Sequence, residues 1–179
     1  MLPNEDHILY RRITADDLEN LLLYLQQLSP DSRKRFGPHR FDLDTLSQLY
    51  EKSNDHIGYT AIEENTEKII AYAILKKGYL EHDSQRLNSH GLQPDHQTDC
   101  TYAPSVADHW QGRGVGTGLF KYILSDIEKM PFRRIILWGG VQSDNERAVR
   151  YYQYNGFTIL GEFPYNGNNF DMIYNLTVS

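Results

Sequence analysis

Apolar and polar residues alternate along this chain with two different periods, and each period predicts one type of element. Short runs rich in β-branched and aromatic residues predict strands at residues 8–12, 57–62, 68–75, 99–107, 134–138, 158–163 and 169–176. Apolar residues three and four positions apart predict amphipathic helices at residues 18–28, 43–52 and 119–130, with a further helix from about residue 144. Strands and helices mixed in this way predict a single α/β domain over residues 1–179.

Turn and capping residues predict several of the boundaries. Residues 14–17 cap the first helix, and Ser29-Pro30-Asp31 ends it. Glu64-Asn65 joins two strands as a hairpin, and Asn166-Gly167-Asn168 joins the last two strands as an antiparallel pair. Residues 78–97 are polar and predict a long loop.

Glycine occupies every second position of the segment from Gln111 to Gly118, directly before the helix predicted at Leu119–Met130. The first N–H groups of a helix have no carbonyl partner within it, and the helix dipole favours negative charge there. Glycine also lets a phosphate approach the backbone closely. The segment therefore predicts a site for a phosphate-bearing ligand, with a flexible surface turn as the alternative.

The spacing of these glycines differs from the common nucleotide-binding motifs. A dinucleotide fingerprint requires Gly-x-Gly-x-x-Gly or Ala, and no register of this segment ends in glycine or alanine. A P-loop ends in Gly-Lys-Ser/Thr, whereas Lys121 follows Phe120. The spacing therefore argues against a nucleotide-dependent enzyme.

A second motif follows after the strand at residues 134–138. Ser-Asp-Asn-Glu at residues 143–146 matches a capping box, so we expect a helix to start at about Asp144 and to end at Gly156. One face of this helix carries an amide, a small residue and a phenol, at Asn145, Ala148 and Tyr152. A packing role for Tyr152 in the core is the alternative to a functional one.

These two motifs together resemble the GNAT acetyltransferase superfamily. Gln-x-x-Gly-x-Gly at Gln111–Gly116 is similar to its acyl-CoA pyrophosphate loop, and Asn145–Phe157 is similar to its second cofactor segment. Residues 99–163 carry most of the resemblance. It implies a GNAT-like acyl-CoA N-acyltransferase fold of the α/β class. Such a fold has a mixed, mostly antiparallel sheet of about seven strands with helices on both faces.

The resemblance implies an N-acetyltransferase that moves an acetyl group from acetyl-CoA to a primary amine by direct attack in a ternary complex. Tyr152 stands at the place of the family's general acid, which protonates the leaving CoA thiolate. The family commonly places a glutamate base on the strand before the glycine loop, but this strand has none. Asp99 is the candidate base there, and a solvated carboxylate at the strand end is the alternative.

The resemblance also implies which residues bind acetyl-CoA. The backbone of three strand residues would pair with the pantetheine arm: Ser105, Val106 and Ala107. The glycine loop would hold the pyrophosphate with Gln111, Gly112, Arg113, Gly114, Val115, Gly116, Thr117 and Gly118. Tyr152 completes this set, and Asn145 either contacts the cofactor or anchors the start of its helix.

Composition and charge narrow the class of protein. With 40% hydrophobic residues and mixed charge, the chain is neither disordered nor fibrous. No run of about 18 apolar residues predicts a membrane span, and the N-terminus does not resemble a signal peptide. A lone cysteine, Cys100, cannot form an internal disulfide, so we expect a cytoplasmic protein. The net charge of −6 argues against nonspecific nucleic-acid binding and mildly favours cationic substrates.

The acceptor and the partners stay open at this point. The acceptor implied is a small-molecule amine or a protein amino group, with neither nucleic acid nor membrane as a partner. A homodimer is compatible with the resemblance, since dimers are frequent in the superfamily. The alternative function is a catalytically silent acyl-CoA-binding sensor, which the missing strand glutamate favours and Tyr152 disfavours.

The polar segment at residues 78–97 carries three histidines, His82, His90 and His96. Their spacing matches no zinc pattern, so we predict no metal. A loop that covers the substrate is the better interpretation of this segment.

Overall fold

The computed structural model describes residues 7–177, which form eight strands and six α-helices. The strands are β1 (Ile8–Arg12), β2 (His56–Glu63), β3 (Lys68–Lys77), β4 (Asp99–Val106), β5 (Arg134–Leu137), β6 (Val141–Gln142), β7 (Thr158–Pro164) and β8 (Asn168–Asn175). The helices are α1 (Leu18–Gln27), α2 (Pro30–Arg35), α3 (Leu43–Tyr50), α4 (Ser84–Ser89), α5 (Val115–Ile127) and α6 (Glu146–Tyr154). No helix in this part of the chain has the length and apolar character that a membrane crossing needs.

The strands form one sheet in the order β1-β2-β3-β4-β5-β8-β6, with β7 also paired to β8. β4 and β5 run parallel, whereas β1–β2, β5–β8, β6–β8 and β7–β8 are antiparallel. The predicted mixed, mostly antiparallel sheet is confirmed. The described residues contain eight strands rather than seven because β6, at two residues, is too short to produce a hydrophobic period.

Backbone contacts divide the chain into two compact units. The first comprises the described residues up to Ile74 together with Pro104–Ser125. The second comprises Leu75–Ala103 and the residues from Asp126 onward. The single domain expected from the sequence stays a prediction.

In the first unit, α1 forms where the leucine spacing predicts it. Leu21 and Leu25 are fully buried on its inner face, and Asp17 accepts the Thr14 N–H at 2.7 Å just before the helix. Residues 29–31 end α1 as expected, but they also begin α2. Ser29 is the N-cap of that helix and accepts from the Ser32 N–H at 3.2 Å. Ser29 therefore follows the end of α1 and caps the start of α2.

In the second unit, the segment predicted as a long loop is folded. It contains a 3-10 turn at Glu81–Asp83 and the helix α4. Leu87 and Leu92 are 1% and 5% exposed, and they pack with Ile136 of β5. The loop prediction is wrong because two well-spaced leucines are enough to anchor a short helix whose other residues are polar.

Arg86 of α4 binds two buried carboxylates in the second unit. Its guanidinium donates two hydrogen bonds to Asp171 of β8, at 2.7 and 3.0 Å, and one to Asp83 at 2.8 Å. Asp171 is 1% exposed and Asp83 is 4% exposed. The guanidinium also lies 3.9 Å from the ring centre of Phe163 on β7. This ion cluster ties α4 to the β7–β8 pair.

Two consecutive glycines follow β5 in a left-handed conformation, Gly139 with φ +66° and Gly140 with φ +71°. A Cβ at Gly140 would lie 2.7 Å from the Phe170 carbonyl oxygen, whereas a Cβ at Gly139 would meet no described atom within 4 Å. We expect Gly139→Ala to cost about 1 kcal/mol of unfolding free energy from backbone strain. Gly140→Ala should cost about 2–4 kcal/mol, because overlap adds to strain. Urea unfolding of the two variants measures the difference, and equal losses would contradict it.

Candidate functional site

The glycine segment in the first unit enters helix α5 earlier than the sequence predicts. The helix begins at Val115 rather than at Leu119. Gly112 and Gly114 precede it with φ of +74° and +84°, a left-handed conformation that favours glycine. Gly116 therefore lies in the first helical turn. The alternating glycines are thus two left-handed loop residues followed by two helical ones.

Gly118 has a packing role in this arrangement. Its N–H donates to the Gly114 carbonyl at 3.0 Å, so this donor is already engaged. A Cβ at Gly118 would overlap the phenol of Tyr10 on β1. Glycine is therefore needed here so that α5 can pack closely against β1. This packing role differs from the cofactor contact expected for Gly118.

The loop before α5 has open space where the sequence predicts a phosphate site. A Cβ added at Gly114 would meet none of the described atoms within 4 Å, so the loop is open on that side. The backbone donors of a first helical turn, together with the helix dipole, favour a negative group. Val115 is 1% exposed, so its side chain faces the core and only its backbone can serve a ligand. Arg113 lies beside this turn with its guanidinium 4.1 Å from the Trp110 ring centre.

At the end of β4, some backbone groups point towards β3 and others point away from it. The Ala107 N–H donates to the Ile70 carbonyl of β3 at 2.8 Å, so this donor is not available to the pantetheine arm. Consecutive strand residues point their backbone groups to opposite edges, and the Val106 N–H therefore points away from β3. On that edge the Val106 carbonyl accepts from Gln111 Nε2 at 3.0 Å. Of the three strand residues expected to bind, Val106 has the suitable orientation.

Ser105 faces a different set of partners. Its hydroxyl donates to the Tyr72 carbonyl of β3 at 3.1 Å and lies 3.0 Å from the Tyr24 hydroxyl of α1. Because the single proton of Ser105 goes to the carbonyl, Tyr24 is the donor to Ser105. These bonds hold the end of β4 against β3 and α1.

In the second unit, α6 starts two residues later than predicted. Its N-cap is Asn145, whose side chain accepts from the Ala148 N–H at 3.4 Å, and the first helical residue is Glu146. The predicted cap at Ser143 is wrong. Asn145 anchors the helix start, which was one of its two expected roles. Gly156 follows the helix with φ +98°, as its predicted function as terminator requires.

Two adjacent tyrosines of α6 have different surroundings. Tyr152 is 8% exposed, and its ring lies 5.4 Å from Phe157 and 5.1 Å from Tyr151. Burial raises the pKa of Tyr152, with a smaller effect from Tyr151, so the phenol is protonated at neutral pH. The Tyr151 hydroxyl lies 3.1 Å from that of Tyr102 on β4. Burial raises the pKa of Tyr151 to about 12, although the bond to Tyr102 opposes the shift.

Asp99, the candidate base, is engaged in an ion pair at the start of β4. It is 1% exposed, and Arg134 of β5 donates to its two oxygens at 2.9 and 2.8 Å. It also accepts the Asp95 N–H at 2.7 Å. These contacts give Asp99 a structural role that the sequence did not reveal, rather than that of a solvated carboxylate. Its function as base stays a prediction.

Asp108 joins α2 to the turn that precedes the glycine segment in the first unit. The turn spans Asp108–Trp110, and the Asp108 carboxylate accepts from the Ser29 N–H at 3.1 Å. The hydroxyls of Ser29 and Ser32 also donate to it, at 2.7 and 2.8 Å. Burial alone would raise the pKa of Asp108, but the bonds from the two serines lower it. The motifs gave no sign of this contact, since its partners are more than 70 positions apart.

The sequence also missed a chain of hydrogen bonds in the first unit. Tyr72 of β3 is fully buried, and its hydroxyl contacts the hydroxyl of Tyr50 at the end of α3. The same Tyr72 hydroxyl lies 2.9 Å from His39 Nε2, in the segment between α2 and α3. Buried polar side chains are generally hydrogen-bonded. None of these three residues lies in a recognisable sequence motif, so the sequence did not indicate the partners.

The three histidines of residues 78–97 do not gather with other ligands. Over residues 7–177, no group of three or more His, Cys, Asp or Glu side chains is placed to hold a metal ion. His90 lies beside Asp171 and His96 beside Glu81. These two histidines instead lie beside single carboxylates, at 3.2 Å for His90 and 2.5 Å for His96.

Comparison with known proteins links the two motifs to one family. The sequence model described as "Acetyltransferase (GNAT) family" matches residues 22–157, a range that contains the glycine segment and α6. None of the curated proteins matches the sequence.

Solved structures share the fold over nearly the whole chain. The putative acetyltransferase yncA from Salmonella typhimurium, solved with acetyl-CoA, has a TM-score of 0.73 at 15% identity and covers 96% of this chain and 95% of its own. NAA60 from Arabidopsis thaliana, in complex with acetyl-CoA, has a TM-score of 0.66 at 20% identity, with coverages of 95% and 99%. The GNAT domain of S. lividans PAT has a TM-score of 0.70 at 21% identity, with coverages of 93% and 89%. At these identities the likeness shows the fold.

Proposed function

The chain belongs to the acetyltransferase (GNAT) family and is an acyltransferase, and we propose that it transfers the acetyl group of acetyl-CoA to a primary amine. In this reaction the neutral amine nitrogen attacks the thioester carbonyl within a ternary complex. The carbon–nitrogen bond forms, the carbon–sulfur bond breaks, and CoA leaves as a thiol. The amine loses one proton and the thiolate gains one.

The observation that carries this proposal is the backbone between the end of β4 and the first turn of α5. The Val106 N–H, on the strand edge away from β3, would pair with the pantetheine arm as an added strand does. Residues 112–117 would hold the pyrophosphate through backbone donors at the helix start. The open space at Gly114 supports this role. Arg113 would add a charge-assisted contact from its place beside Trp110.

Tyr152 is the proposed acid for the thiolate. Its buried phenol stays protonated at neutral pH and is therefore able to donate. Asp99 is the base proposed from the sequence, although its two oxygens already accept bonds from Arg134. The acceptor is proposed to be a small amine or a protein amino group. The net charge of −6 supports a cationic molecule, which negative charge attracts from a distance.

Thermal unfolding with acetyl-CoA, CoA, NAD and ATP tests the cofactor. A ligand at 100 times its Kd adds about 2.7 kcal/mol to the unfolding free energy. We expect acetyl-CoA and CoA to raise the Tm and NAD and ATP to leave it unchanged. Stabilisation by NAD or ATP alone would contradict the proposal.

A matched pair of glycine variants localises the binding. Gly114→Ala and Gly91→Ala introduce the same backbone strain, at φ of +84° and +83°, and neither new Cβ meets a described atom within 4 Å. We expect Gly114→Ala to weaken acetyl-CoA binding at least tenfold, because its Cβ fills the space proposed for the pyrophosphate. Gly91→Ala should bind as the parent does. Equal affinity of the two variants would remove the glycine loop from the site.

A further inference from the structure

The hydrogen bonds among Tyr50, Tyr72 and His39 have a defined direction. His39 Nδ1 lies 2.8 Å from the Arg40 carbonyl, and a carbonyl oxygen only accepts, so Nδ1 carries the hydrogen. In a neutral imidazole, Nε2 is then an acceptor, and Tyr72 donates to it. The only hydrogen of the Tyr72 hydroxyl is used there, so Tyr50 donates to Tyr72. The chain therefore runs from Tyr50 through Tyr72 to His39.

The middle residue of this chain is fully buried, and the two end residues are partly buried. Tyr72 is fully buried between Tyr50 and His39, which are both half-buried. Burial lowers the pKa of His39, while the bond to the Arg40 carbonyl and the charge of Asp42 oppose this shift. His39 is therefore neutral at pH 7 and able to accept a proton. The groups facing it are Tyr72 of β3, Asp42 at the start of α3, and Arg40 in its own segment.

The chain lies beside the strand that we propose for the pantetheine arm. Ser105 of β4 donates to the Tyr72 carbonyl at 3.1 Å, so Tyr72 and Ser105 are neighbours across the β3–β4 pair. Adjacent strands lie about 4.8 Å apart, and the next residue of β4 is Val106. Tyr72, the middle residue of the chain, is thus close to the proposed cofactor arm within the first unit.

We propose that Tyr50, Tyr72 and His39, rather than Asp99, remove the proton released by the acceptor amine, through a relay with His39 as its terminal base. This inference rests on the proposed acetyl transfer. The amine N–H bond breaks as its proton passes to the Tyr50 oxygen. The Tyr50 proton passes to Tyr72, and the Tyr72 proton passes to His39 Nε2. His39 is only partly buried, so its imidazolium then loses one proton to water and becomes neutral again.

The relay predicts an acid limb in the pH profile of kcat. His39 must be neutral to accept a proton, so activity falls as the pH decreases through the pKa of His39, which lies below the ordinary 6.5. His39→Gln keeps an acceptor for Tyr72 and a donor for Arg40 but cannot be protonated. We expect it to lower kcat by about 100-fold, the lower end of general-base effects, and to remove the acid limb. Acetyl-CoA affinity should not change.

Tyr72→Phe and Tyr24→Phe form a matched comparison, since both remove a buried phenol hydroxyl of the first unit. Tyr72→Phe interrupts the relay and should match the loss in His39→Gln. The double variant His39→Gln/Tyr72→Phe should be no slower than either single variant, because the two residues act in one chain. Tyr24→Phe loses the bond to Ser105 but leaves the hydrogen bonds from Tyr50 to His39 in place, so it should retain the acid limb.

The assay follows thiol release from acetyl-CoA with spermidine, L-lysine and a short peptide carrying a free N-terminus. In parallel, nitrogen NMR of the His39 ring reports which nitrogen carries the proton. A proton on Nε2 at neutral pH would overturn the relay, and so would an acid limb that survives in His39→Gln or disappears in Asp99→Asn. Absence of thiol release with every amine would instead overturn the proposed acetyl transfer and, with it, the relay.

Discussion

Replacing Tyr152 with phenylalanine should lower kcat by about 100-fold or more, because general acids contribute about 10²- to 10⁴-fold. The substitution removes one oxygen and leaves the ring against Phe157 and Tyr151. The fold of α6 should therefore persist. Acetyl-CoA affinity, measured by calorimetry, should match the parent, since the proposed contacts to the pantetheine arm and the pyrophosphate come from Val106 and residues 112–117 of the first unit.

Tyr151→Phe is the control for this experiment. It removes a hydroxyl from the next residue of the same helix and breaks one hydrogen bond, to Tyr102. Such a loss costs about 1 kcal/mol of stability and should not affect the rate of thiol release. Full turnover of Tyr152→Phe would remove this residue from the chemistry and leave it as a core aromatic residue.

The largest loss of stability is expected from Arg86→Leu. The variant leaves Asp171 and Asp83 buried without their countercharge, and breaking a buried ion pair on one side costs about 3–5 kcal/mol. Leucine also loses the contact of the guanidinium with Phe163. Urea unfolding at pH 7 measures the change.

Arg150→Leu provides the matched comparison. Arg150 pairs with Glu146 one turn away on α6, and their side chains are 78% and 75% exposed. An exposed pair of this kind contributes about 0.5 kcal/mol or less. A loss in Arg86→Leu as small as that in Arg150→Leu would contradict this interpretation.

Elements whose information is local were predicted closely. The β7–β8 pair turns at Asn166 and Gly167, which have φ of +49° and +110°, a conformation that these two residue types accept readily. The leucine spacing predicted α1, and the position of Gly156 after a helical segment predicted that it ends α6. In each case the residues that determine the element are neighbours in the chain.

Errors arose where distant contacts override local patterns. Residues 78–97 look like a loop, yet Arg86 finds Asp171 85 positions away and fixes α4. The predicted cap at Ser143 was wrong: Asn145 caps α6, while the Ser143 N–H donates to the Asn168 carbonyl of β8 at 2.9 Å. β6 has only two residues and forms a strand because it pairs with β8. A local pattern contains no information about such partners.

The sequence by itself indicated the family, because both motifs that resemble it are local. It also predicted a phosphate site at the glycine segment, because glycine lets a phosphate approach the backbone closely. It also indicated Tyr152 through its position on one helix face. Only the tertiary structure decided that Gly118 packs against Tyr10, that Asp99 pairs with Arg134, and that Tyr50, Tyr72 and His39 share one chain of hydrogen bonds. The physical reason is that buried polar groups must be paired. Folding chooses their partners from the whole chain, whereas helix caps, turns and hydrophobic periods depend on residues within a few positions of one another.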